Sequence, residues 1–171
     1  MNSKNTSILF ILFLALAFTF VGCKNDDDAD GGSGNYFMKA TVGGAEHNFS
    51  NDLRASWVEG KTFLNITGYH DNSFITITLM NDSKRATAGQ YTLDDASGFQ
   101  ILSIYSPNGG QENYTASHGT VWDDQFQINI TDINDKTVKG FFTGDLVIGG
   151  GGATVAKRIK IENGTFNVPF K

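Results

Sequence analysis

The feature that most constrains this chain is an apolar/polar alternation of period two. In Phe74-Ile75-Thr76-Ile77-Thr78-Leu79, the residues Ile75, Ile77 and Leu79 fall on one side and Phe74, Thr76 and Thr78 on the other. Only an extended strand separates them this way, because its successive side chains point to opposite faces of a sheet. Residues 63–69 carry the same pattern, and His70-Asp71-Asn72-Ser73 between the two runs is turn chemistry. The pair reads as a hairpin with one apolar face. The pattern recurs at 126–131 and 137–144, joined by the polar turn 132–136. Further strands are expected at 36–42, 53–58, 90–93, 99–105, 116–122 and 158–170, and the four glycines at 149–152 read as a loop. About ten short strands, with no 3.6-residue amphipathicity sustained over ten residues, predict an all-β domain. Its architecture is an antiparallel β-sandwich or barrel, and periodicity does not choose between the two.

The N-terminus is of a different kind. Residues 1–7 are polar with one side-chain charge, Lys4, and residues 8–21 are an apolar run of 14 interrupted only by one Thr. A membrane-spanning helix needs about 20 apolar residues, so this run has the length of a signal-peptide h-region. It ends at Phe20-Val21-Gly22-Cys23, and Cys23 is the one cysteine of the chain, so no intramolecular disulfide is available to it. The segment resembles the lipobox of bacterial lipoproteins, in which cleavage precedes a diacylated Cys. That predicts a signal peptide over 1–22, cleavage between Gly22 and Cys23, and lipidation of Cys23. One departure is Phe20, where the pattern usually has Leu. Lys24 followed after Asn25 by Asp26, Asp27 and Asp28 is similar to the export signal that sends Bacteroidota lipoproteins to the outer face of the outer membrane. Two or more acyl chains hold a protein stably in a bilayer, each buried CH₂ contributing about 0.8 kcal/mol.

From Cys23 to Asn35 no apolar residue larger than Ala follows the cysteine, which predicts a flexible acidic and Gly/Ser tether, 23–35. The single all-β domain is then expected over 36–171. Without residues 1–22 the chain carries 12 basic and 18 acidic side chains, a net charge of −6. Nucleic acid repels such a domain, and its densest basic stretches, Lys84-Arg85 and Lys157-Arg158-Ile159-Lys160, make no patch.

The domain resembles a family of small flavobacterial lipoprotein domains of unknown function. The matching elements are Phe37-Met38-Lys39-Ala40-Thr41-Val42-Gly43-Gly44, Ile66-Thr67-Gly68, Ile75-Thr76-Ile77-Thr78-Leu79, Gly89-Gln90-Tyr91-Thr92-Leu93, residues 136–142 and the ending Asn163-Gly164-Thr165-Phe166-Asn167-Val168-Pro169. The resemblance implies a β-rich, lipid-anchored domain and brings no catalytic residues.

Chemistry-bearing residues are sparse. His47, His70 and His118 lack zinc-ligand spacing and read as solvated loop histidines, His70 in a hairpin turn and His118 ahead of a strand. Asp94-Asp95, Asp123-Asp124, Asp132 and Asp135 offer oxygen ligands. The loop from Asp132, however, has Lys136 at its fifth position and no Gly at its sixth, so Asx-turn chemistry explains it better than calcium. No Gly-Xaa-Ser-Xaa-Gly elbow is present, and the Asn-Xaa-Ser/Thr sequons follow from a Thr/Asn-rich composition. Trp57, Tyr69, Tyr105 and Trp122 are candidates for an aromatic platform that stacks sugar rings or peptides, against the plainer role of cross-strand packing. The expectation is a non-catalytic envelope lipoprotein without metal or cofactor. Its lipid on Cys23 engages the membrane, and its domain is a surface binding or structural module whose partner is a glycan, a peptide or an envelope protein. The alternatives are a barrel-type carrier of a small apolar ligand and a hydrolase.

Overall fold

The computed structural model describes residues 35–58, 62–94 and 96–171. The expected signal peptide, Gly22, Cys23, and the export signal Lys24, Asp26, Asp27 and Asp28 lie outside the described residues, as does Asp95. The domain is all-β and antiparallel, a sheet curled into a half-barrel. Eleven strands are described: β1 (Phe37–Val42), β2 (Ala45–Asn48), β3 (Asn51–Trp57), β4 (Leu64–His70), β5 (Ser73–Met80), β6 (Gly89–Thr92), β7 (Gln100–Ser106), β8 (Tyr114–Ser117), β9 (Gln125–Ile133), β10 (Thr137–Gly149) and β11 (Val155–Pro169).

The alternation of β5 holds to the residue: Ser73, Ile75, Ile77 and Leu79 are buried and the residues between them half-buried. The β4–β5 hairpin pairs Ile66 with Ile77 and Thr67 with Thr76. On the outer face a polar ladder forms, with Asn65 donating to Thr78 Oγ1 and Thr67 donating to Asn65 Oδ1, both at 3.0 Å.

The sheet forks at β10. One side of β10 is covered along its whole length by β11; the other pairs with β9 over Val138–Asp145 and with β8 at Val147. One branch ends at β6, the other runs β8-β7-β5-β4-β3, and on the far side β11 carries β1 and β2. The curl brings the two ends near one another. β2 and β3 are joined by Phe49 and Ser50, the Phe49 N–H donates to Met38 O at 2.7 Å, and Lys171 N–H donates to Ala55 O at 3.0 Å.

Inside, Met38, Phe49, Ile66, Ile77, Ile128 and Leu146 are fully buried, each contributing about 1.5–3 kcal/mol. A file of rings, Phe126–Phe142–Phe166, runs across β9, β10 and β11 with centroids 6.2 Å apart at each step. Each ring lies opposite a glycine: Phe126 faces Gly144, Phe142 faces Gly164, and Phe166 faces Gly140. A Cβ at Gly164 would sit 2.6 Å from the Phe142 ring and one at Gly140 2.8 Å from that of Phe166. Glycine is therefore what lets the rings lie flat on the facing strand.

Three sequence expectations change. Strand β2 was not foreseen: Ala-Glu-His-Asn has no apolar period, and the Gly43-Gly44 turn, with φ of +58° and +88°, makes the hairpin that pairs it. The strand expected at 116–122 ends at Ser117. Gly119 turns left-handed at φ +75°, and Asp124 accepts from Ser117 N–H at 2.8 Å and from the Thr120 hydroxyl, folding residues 118–124 into a loop. The two long central strands reach further than expected, β10 to Gly149 and β11 back to Val155.

Candidate functional site

On the outer face, β2, β1, β11, β10 and β9 lie side by side, and one directly paired row crosses all five: Asn48, Lys39, Thr165, Phe141 and Asn129. Alternation puts these residues outward, so the row is a band of amide, ammonium, hydroxyl and ring. Phe141 is 53% exposed, unusual for a Phe in a paired strand.

Two hollows lie on this face. The larger, about 890 Å³, is lined by Phe37, Lys39, Thr41, Glu46, His47, Asn48 and His70 among others; the smaller, about 360 Å³, by Gln127, Asn129, Phe141 and Thr143. Both include Asn163 and Thr165, so the two adjoin along β11. Asn163 is left-handed, with φ +53°. The β1/β11 and β10/β11 registers both shift beside it, the signature of a bulge, which re-aims a side chain out of the pleat.

At one end of the larger hollow stands a histidine pair. The His47 ring stacks on Phe49 at 5.6 Å and meets His70 edge-on at 5.5 Å, while His70 Nδ1 lies 3.1 Å from Asn48 O. Burial, and secondarily the neighbouring His70, hold the His47 pKa below its ordinary value, so the pair resists carrying two positive charges. At the other end Lys39 Nζ lies 5.8 Å from the Phe37 ring centre. Two residues of this lining carry a buried polar atom without a hydrogen-bond partner, His47 at Nδ1 and Thr165 at Oγ1.

The four aromatic candidates do not form one platform. Trp57 stacks on Phe170 at 5.9 Å, with the Arg85 guanidinium 4.9 Å from its ring centre. Tyr69 packs on Phe74 at 5.7 Å, toward the opposite end of β4 from the Leu64 that pairs with Trp57. Tyr105 is 3% exposed among His47, Phe49 and Tyr114, which raises its hydroxyl pKa through burial and the neighbouring Tyr114. Trp122 lies against the backbone of Gly149. The outward-facing rings at the hollows are instead Phe37 and Phe141, and alternation about the inward Met38 and Phe142 was the signal for them.

His118 is an exposed turn residue after β8, with Nδ1 2.7 Å from Leu93 O, whereas the other two histidines are strand residues: His47 is half-buried on β2 and His70 ends β4. In the 132–137 turn Asn134 Oδ1 accepts from Lys136 N–H at 2.9 Å and Thr137 N–H at 3.1 Å, an Asx turn. A third hollow of about 470 Å³ at the fork is lined by Asp94, Asp124, Asp145 and Lys160; Asp124 is engaged in its own loop. Among the described residues no group of three His, Cys, Asp or Glu side chains is placed to hold a metal ion.

Fold and site together define an all-β half-barrel with paired hollows across its outer face. No family model, curated protein or solved structure matches the chain.

Proposed function

We propose that this chain is an envelope lipoprotein of the Bacteroidota type, anchored in the outer membrane through Cys23 and facing the cell exterior. Its domain acts there as a non-catalytic binding module for a glycan, a peptide or another envelope protein. Residues 1–28 support the address. The observation that supports the activity is the pair of adjoining hollows meeting at Asn163 and Thr165, with exposed Phe141 and the unpartnered polar atoms of His47 and Thr165 in their lining.

The full chain carrying Cys23→Ala should be screened on glycan and peptide arrays beside the same chain with Lys39→Ala and Phe141→Ser added. Both added positions are exposed, so the fold is preserved. Binding that disappears with the double substitution is expected; binding that survives it would remove the hollows from the reading.

A further inference from the structure

Resting on that reading, we infer that the two hollows form one track for a neutral oligosaccharide laid across the strands. The track crosses five strands, roughly 19 Å at about 4.8 Å per strand. Its polar groups are the side-chain amides of Asn48, Gln127, Asn129 and Asn163 and the hydroxyls of Thr41, Thr143 and Thr165. Amides and hydroxyls both donate and accept, as vicinal hydroxyls of a sugar require. Phe37 and Phe141 lie on strands two positions apart, roughly 10 Å laterally, wider than one sugar ring. Each offers an apolar face to the C–H side of a different residue of the chain.

The same surface suits other ligand classes poorly. Phosphates and polyanions are held by clustered Arg and Lys, whereas Lys39 has Glu46 lining the same hollow. An extended peptide gains its affinity by adding to a sheet edge. This track instead runs across the strands, over the faces of β1, β11 and β10, whose backbones are already paired on both sides; β2, at its end, is the sheet edge, and a peptide paired there would run along that strand and not across the track. An apolar ligand would need contiguous hydrocarbon, and the two rings are separated by amides and hydroxyls.

The test is calorimetric titration of the full chain in detergent with neutral cello-, xylo-, manno- and malto-oligosaccharides. Oligogalacturonate and a heptapeptide display library serve as the anionic and peptide probes. At least one neutral series should bind, with tetrasaccharide at least tenfold tighter than monosaccharide. Phe37→Ala and Phe141→Ala should each weaken it roughly 2- to 12-fold, the range of one aromatic contact. Thermal melts verify that each variant is folded. Equal affinity for mono- and tetrasaccharide overturns the track. Binding of oligogalacturonate or peptide alone, if lost with Phe141→Ala, overturns the ligand class and leaves the binding module standing. Binding of no probe overturns the oligosaccharide track and leaves an envelope protein as the partner of the module.

Discussion

Gly149 and Trp122 offer a sharp test of how this sheet is packed. A methyl group at Gly149 would lie 2.2, 2.8 and 3.0 Å from three atoms of the Trp122 indole, and its nearest contacts are all side chain. The indole cannot give way freely, because Arg158 pairs with neighbouring Asp123 and Asp124 ties the loop to Ser117. Gly149→Ala therefore displaces the ring, at an overpacking cost of about 1–3 kcal/mol. In a Trp122→Ala background the obstruction is gone. Gly149 is extended, with no positive φ, so alanine there should stabilise by roughly 0.5–1 kcal/mol through reduced backbone entropy. The same substitution thus changes sign, a coupling of roughly 1.5–4 kcal/mol between two residues 27 apart in sequence. Urea unfolding followed by far-UV circular dichroism, which does not depend on the deleted indole, measures all four corners of the cycle. Equal and additive effects in both backgrounds would refute the packing, and would return Trp122 to the set of free rings available to a ligand.

Other outcomes follow from the same structure. Phe142→Ala should cost about 3–5 kcal/mol in urea unfolding, toward the upper end because Gly164 opposite has no side chain to fill the void. His47 has a folded-state pKa below the ordinary 6.5, so the unfolded chain binds the proton first. Its contribution is fully present above pH 6.5 and is lost as pH falls from there toward the lowered value; melts at pH 7.5 and 5 should converge in His47→Gln relative to the parent. Asp71, near His70, and Tyr105 also face the pair and stay in place in that comparison. Replacing Cys23 with Ala should release the chain from membrane fractions and abolish fatty-acid labelling, and unchanged labelling would remove the anchor.

The sequence disclosed the faces of this domain better than its neighbours. Alternation placed Ile75, Ile77 and Leu79 inside, and the same rule puts Tyr105 inward in step with Ile101 and Ser103. Parity alone therefore sets Tyr105 apart from any surface platform. Residues 120–122, Thr-Val-Trp, have strand-like composition, but Val121 is 72% exposed because the hydrogen bonds of Asp124 close a loop that propensity cannot anticipate. The five-residue row was hidden for a different reason. Asn48, Lys39, Thr165, Phe141 and Asn129 meet only because β11 pairs with β1, and no local pattern fixes so distant a pairing. Asn163 carried a partial hint, since Asn before Gly tolerates the left-handed bend.

The place of β11 in the sheet has a consequence for how the chain comes into being. It is made after the other ten strands, yet it sits in the interior of the sheet, joining Phe37 to Asn167 across 130 residues of sequence. Until it arrives, the β1–β2 hairpin has nowhere to attach, and β10 has one whole flank of unpaired N–H and C=O groups. Such long-range closure is slow, and open flanks invite pairing with other chains. A polypeptide threaded through a membrane from its N-terminus would consequently travel without a finished sheet to unfold. Synthesis that stops short of Val155 should yield aggregate rather than a smaller domain.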